Sequence, residues 1–151
     1  VLFRSLLVYL FYKNHYDAHE DEAAKLGTFC TAPAIRNTPM NLLSEIIATI
    51  MLVIIIISFG VKGNTYNPDT HAFGLAALGP IPVTLLIIAL GMSLGGTTGY
   101  AMNPARDLSP RIAHAVCMKG SNDWGDSWEP VVGPIIGGVI AGFLGIYLRA
   151  L

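Results

Sequence analysis

The residues with the most chemical content lie in one run, Gly99-Tyr100-Ala101-Met102-Asn103-Pro104-Ala105-Arg106-Asp107. Asn103 is a good helix N-cap, and Pro104 suits the first helical position, where a missing N–H is no loss. A helix is therefore predicted to start here, with its positive dipole end pointing back toward Asn103. The residues before it are expected to be extended, with free carbonyls on Gly99, Tyr100 and Ala101. Arg106 falls in the first turn, where a cation is electrostatically unfavourable. Helix stability does not account for it, so a functional role is the better explanation. Asp107 in the same turn complements the dipole.

A second candidate is Glu45, the sole acid of an apolar run from Leu42 to Phe59. A carboxylate inside such a run is a functional or structural-polar site by default. Other reactive residues carry less. His15 and His19 lie four apart near the acidic stretch Asp17 to Glu22, a spacing open to a metal, but a solvated loop explains it better. Cys30 and Cys117 each lack a second ligand at metal-site spacing, so no zinc site is expected. No catalytic constellation is found: the histidines lie in a loop or, as His114, beyond the Arg106 turn. No metal and no cofactor are implied.

The elements that must position these residues are set by composition. Of 151 residues, 53% are hydrophobic and 13% charged. A soluble domain carries about 25% charged residues; half of that leaves too little polar surface to coat a water-soluble globule. The net charge of −1 offers no basic field for nucleic acid. Membrane is the implied medium.

Residues 6–12 are apolar and too short to span, and read as the tail of a helix. Residues 13–41 form a polar loop. Residues 42–60 are the strongest span, since about 20 apolar residues cross a bilayer as a helix. Residues 61–80 are a Gly/Asn/Pro-rich connection. A span at 81–95 runs into Gly95-Gly96-Thr97-Thr98-Gly99, expected to be non-helical; such backbone is tolerated at membrane depth only where it lines a cavity. Residues 96–118 hold this loop and a helix too short to cross. Residues 119–129 are a polar loop with Trp124 and Trp128 as interface aromatics. Residues 130–151 hold the last span, whose Gly133-xxx-Gly137, Gly138-xxx-Gly142 and Ala141-xxx-Gly145 spacings permit close helix approach. A half-helix between two full spans is itself a mark of a channel or transporter. Arg4 would cost roughly 2.5–3.5 kcal/mol at bilayer depth. Val1–Ser5 also match a translated sequencing-adapter tail, so residues 1–5 are expected to be a non-native scar.

The run Gly99 to Asp107, set between two spans, resembles the aquaporin family, and within it the bacterial glycerol facilitators. The resemblance extends over nearly the whole chain from Leu6. It includes Gly27-Thr28-Phe29, Leu43-Ser44-Glu45 and Gly133-Pro134-Ile135-Ile136-Gly137. It implies an all-α membrane protein built as an inverted-repeat helical bundle. This chain would supply the second repeat, three spans and one Asn-Pro-Ala half-helix, with the tail of span three. The first Asn-Pro-Ala copy is absent from the sequence.

By resemblance, Asn103 is a pore asparagine whose amide donates to passing hydroxyls or water. Arg106 is the filter arginine, whose fork of donors holds two polyol oxygens and whose charge repels ions. Tyr100 takes the aromatic filter position, where facilitators commonly carry Phe. Gly91 falls where water-selective members place a His. Gly99, Tyr100 and Ala101 supply an acceptor ladder, and Ile87 and Leu52 are candidates for the facing apolar wall. Glu45 holds the pore loop's N–H groups, supported by Pro104 and Asp107. Ser109 departs from the family's usual Gly, and Pro110 matches it.

The implied function is a passive, cofactor-free path for glycerol, water and small neutral solutes that excludes protons and ions. The implied setting is a bacterial plasma membrane and its lipid bilayer, with four copies assembled. A water-selective pore is the alternative, opposed by Gly91. A coupled transporter would need acids beyond Glu45, and a lone repeat without activity is a further alternative. The family topology puts both termini in the cytoplasm. Lys13, Lys25, Arg36 and Lys119 would then lie outside, against Lys62 and Arg149 inside, so the positive-inside rule does not support it.

Overall fold

A computed structural model describes residues 1–59 and 78–150. Among them every regular element is helical: α1 (Leu2–Phe11), α2 (Lys13–Ala18), α3 (Glu22–Gly27), α4 (Thr38–Phe59), α5 (Pro80–Thr98), α6 (Pro104–Cys117) and α7 (Glu129–Ala150). Helices α4, α5 and α7 are long and apolar enough to cross a membrane. The 14 residues of α6 reach only about 21 Å, short of a bilayer's hydrocarbon core. Few residues of the three spans are buried inside the chain, so most of their apolar surface faces outward. The connection expected at 61–80 lies almost wholly outside the described residues.

The main seam joins α4 to α7. One row of small residues on α7, spaced four apart, makes the close approach possible. A Cβ on Gly133 would stand 2.6 Å from the Glu45 Cβ, and one on Gly137 2.6 Å from the Ile46 carbonyl oxygen. Ala141 is fully buried, and a Cβ on Gly145 would meet Ile57. A Cβ on Gly138 or Gly142, one face round, would meet nothing within 4 Å among the described residues. A second cluster joins α4 to α5: Ala48, Leu90 and Met102, with Leu52, Leu86, Leu94 and Tyr100 against them.

Two expectations change. The glycine-rich run was expected to be non-helical from residue 95, yet α5 continues through Thr98. Gly99 ends it in the left-handed region (φ 76°), its N–H returning to the Gly95 carbonyl at 3.1 Å. Gly95 serves packing instead: a Cβ there would lie 2.7 Å from Tyr100 Cδ1. The polar stretch 13–41 is not all loop either. Asp21 caps α3 by accepting from the Ala23 and Ala24 N–H groups at 2.9 and 3.1 Å, and α4 begins at Thr38.

Candidate functional site

The segment from Gly99 to Asn103 joins α5 to α6 and is not the extended run expected. Gly99, Tyr100 and Met102 all have positive φ, of 76°, 43° and 47°. For the two non-glycine residues this costs about 1–2 kcal/mol each, so something must hold the loop.

Glu45 does so from α4. It is fully buried. Its Oε1 accepts from Thr98 Oγ1 at 2.5 Å and from the Ala101 N–H at 3.0 Å, and its Oε2 accepts from the Met102 N–H at 2.8 Å. Hydrogen bonds to a charged group contribute about 1.5–3 kcal/mol each, enough to offset the loop's strain. With N–H groups turned to Glu45, the carbonyls of Gly99, Tyr100, Ala101 and Met102 accept no hydrogen bond from the described residues.

At the far end Asn103 caps α6, its Oδ1 accepting from the Ala105 N–H at 2.9 Å, with Pro104 as the first helical residue. This is the start expected from Asn-Pro. Asn103 itself is exposed. Arg106, one turn in, is half-buried, and its guanidinium makes no hydrogen bond or ion pair among the described residues. It lines a cavity of about 230 Å³ between α1 and α6, with Tyr16, Thr28, Phe29 and Pro110. None of the other expected filter residues lines that cavity.

Gly91 and Tyr100 are brought together. The half-buried Tyr100 ring lies over Gly91 and Gly95 of α5, and a Cβ on Gly91 would come within 3.0 Å of Tyr100 Cζ. Leu52, like Tyr100, packs against the α4–α5 cluster of Ala48, Leu90 and Met102. Ile87 lies on α5 at 43% exposure.

The largest feature that sequence reasoning missed is centred on Arg111. Asp107 was expected to complement the helix dipole and to support the pore loop; the Arg111 pairing was not foreseen, and in it Asp107 is fully buried against Arg111, which is 1% exposed. Arg111 Nε donates to Asp107 Oδ2 at 3.0 Å. Its Nη1 donates to the carbonyls of Asn122 and Asp123 at 2.8 and 2.7 Å, and its Nη2 to the carbonyl of Thr31 at 2.9 Å. The i,i+4 spacing of Asp107 and Arg111 was the one available signal; their partners lie far away in sequence. The loop past α6 is gripped again from outside, where Arg36 pairs with Asp123 at 2.8 Å and with Asp126. His114 Nδ1 lies 2.6 Å from Asn122 Oδ1 and is thereby part of the same end of the molecule. Cys30 is buried beside this network, and burial pushes its thiol up to about 11.

The geometry therefore combines a helix tip with a loop's carbonyls and a guanidinium that have no partner among the described residues. Comparison with known proteins gives the same direction. The chain is 48% identical over 132 residues to the "Glycerol uptake facilitator protein" of Bacillus subtilis (strain 168), covering 85% of this chain and 44% of that protein. It is 50% identical over 131 residues to "Glycerol uptake facilitator protein 3" of Lactiplantibacillus plantarum, covering 85% of this chain and 50% of that one. It is 39% identical over 126 residues to the "D/L-lactic acid transporter" of the same species, covering 80% of this chain and 48% of that protein. The chain thus spans about half the length of the relatives it matches. The profile described as "Major intrinsic protein" matches residues 2–145, and the chain belongs to that family.

Proposed function

We propose that this chain forms the C-terminal half of a passive membrane channel, not an enzyme, for glycerol and similar small neutral solutes. The observation that carries the reading is the suspended loop. Glu45 takes the N–H groups of Ala101 and Met102, and the carbonyls of residues 99–102, beside the α6 tip, have no hydrogen-bond partner among the described residues. Unpaired backbone at membrane depth is tolerated where it lines a path for solute. A polyol suits such a path, because its hydroxyls meet acceptors and its carbon edge meets apolar side chains. The relatives named as glycerol uptake facilitators support the same solute class.

The filter reading assigns Arg106 the solute hydroxyls and Tyr100 the carbon edge. Gly91 supports a polyol over a strict water path. The Tyr100 ring uses the room that Gly91 leaves, and a Cβ at 91 would stand 3.0 Å from Tyr100 Cζ, so the ring would have to yield. Asn103 donates its amide to the passing solute. Ile87 and Leu52 belong to the apolar wall. Pro104 and Asp107 support the loop. Protons and ions are excluded by the fixed charge of Arg106 and the positive end of α6. The working protein is a homotetramer in a bacterial plasma membrane. The open small-residue positions Gly96, Gly138 and Gly142 leave room for neighbouring helices or lipid.

The test joins residues 6–151 to the remaining half of the Bacillus subtilis relative and reconstitutes the product in liposomes. Rapid re-swelling driven by glycerol entry is expected. Water flux with glycerol excluded would defeat the polyol reading, and absence of both fluxes would defeat the channel reading.

A further inference from the structure

Beyond the filter itself, the geometry points to Thr31, held by Arg111, as a positioning residue that sets the distance between the two ends of the pore loop. This inference rests on the channel reading above. Thr31 lies outside the pore loop, in the segment between α3 and α4, and is 7% exposed. Every group it owns is engaged. Its N–H and its hydroxyl both donate to Asp107 Oδ1 at 2.7 Å. Its carbonyl accepts from Arg111 Nη2 at 2.9 Å. Its methyl abuts the opposite end of the loop, where a Cβ on Gly99 would stand 2.9 Å from Thr31 Cγ2. Three residues on, the Ala34 N–H donates to the Thr97 carbonyl at 2.9 Å, tying the same segment to the end of α5.

Thr31 is thus a spacer with a polar side and an apolar side. The polar side grips Asp107, next to Arg106 on the first turn of α6. The apolar side presses on the turn at Gly99, which precedes Tyr100. Glu45 fixes the middle of the loop from α4. Thr31 fixes its two ends relative to each other, from the other side. The width available between Tyr100 and Arg106 follows from that spacing. Arg111 makes the spacer rigid, since its guanidinium joins Thr31, Asp107 and the loop at Asn122–Asp123 with donors in a fixed plane.

Thr31→Val keeps the methyl and removes the hydroxyl donor from Asp107. Thr31→Ser keeps both hydrogen bonds to Asp107 and gives up only the methyl at Gly99, so it serves as a partial rescue. In the liposome chimera, the ratio of glycerol to erythritol permeability should change by at least about threefold in Thr31→Val, because small displacements of a solute-positioning group have large effects on rate. Thr31→Ser should return the ratio part of the way to the parent value. A second readout does not depend on glycerol passage. In a Cys117→Ser background, Arg106→Cys is labelled with a water-soluble thiol reagent, and Thr31→Val should change that labelling rate by a similar factor. A parent protein that excludes glycerol would defeat the channel's solute assignment while the labelling comparison still judges Thr31. Membrane-inserted Thr31→Val with parental labelling would overturn the positioning role, as would a Thr31→Ser change as large as that of Thr31→Val.

Discussion

Replacing Glu45 by Gln changes almost no volume and removes one acceptor. Glu45 receives two hydrogen bonds on Oε1 and one on Oε2. Gln offers one carbonyl oxygen and one NH2 group. If the oxygen stays with Thr98 and Ala101, the NH2 faces the Met102 N–H, and a charge-assisted bond of about 1.5–3 kcal/mol is lost. The two bonds that remain fall from charged to neutral strength, about 1 kcal/mol each. The sum, roughly 3–5 kcal/mol, is what a broken buried charged network costs. Against it stand the left-handed backbones of Tyr100 and Met102, about 2–4 kcal/mol together. The loop therefore loses the interactions that offset its strain. A shift of 3 kcal/mol is roughly a hundredfold in the population of the anchored loop. Glycerol-driven re-swelling of chimera liposomes should fall by at least about tenfold at equal protein content. Glu45→Asp should also fail, because its shorter side chain cannot reach all three donors. Glu45→Gln with parental glycerol flux would refute the suspension argument.

Other consequences are open to direct measurement. Gly137→Ala places a Cβ 2.6 Å from the Ile46 carbonyl oxygen, a backbone atom that cannot swing aside, and should lower stability in detergent by about 1–3 kcal/mol. Gly138→Ala meets nothing within 4 Å and should be neutral or gain up to about 1 kcal/mol from helix propensity, so thermal unfolding of the pair isolates the seam. Gly95→Ala pushes on the Tyr100 ring at 2.7 Å and should alter glycerol flux more than it alters unfolding temperature. Burial raises the Cys30 thiol from 9.0 to about 11, so it stays protonated where an ordinary thiol ionises. Maleimide at about pH 8 should therefore modify Cys117 and spare Cys30 until the protein unfolds, as mass spectrometry of the labelled peptides will show. Because the unfolded thiol ionises first, Cys30 also makes the fold less stable as pH rises from 9.0 towards about 11.

Several features were legible in the sequence because they depend on near neighbours. Asn103-Pro104 announced the start of α6, and the apolar run at 42–59 announced α4. Glu45 stood out as a lone acid in that run, and the small residues of α7 indicated a close helix contact. What stayed hidden depends on distant partners. Thr31 and Asp107 are separated by 76 residues and Arg111 and Thr31 by 80, and no local pattern relates them. The end of α5 was misjudged because glycine is a poor helix former. At Gly95 that propensity is outweighed by the Tyr100 ring, which needs a helix face without a side chain.

The central claim is that the Asn103 end of α6 faces a water-filled path within the membrane. Asn103→Cys in the Cys117→Ser chimera, carrying a nitroxide, measures this through its access to water-soluble nickel complex and to lipid-soluble oxygen. High nickel access, reduced by added glycerol, at a depth near the bilayer centre is the predicted result. Oxygen access with no nickel access, or a position level with the headgroups, would contradict it.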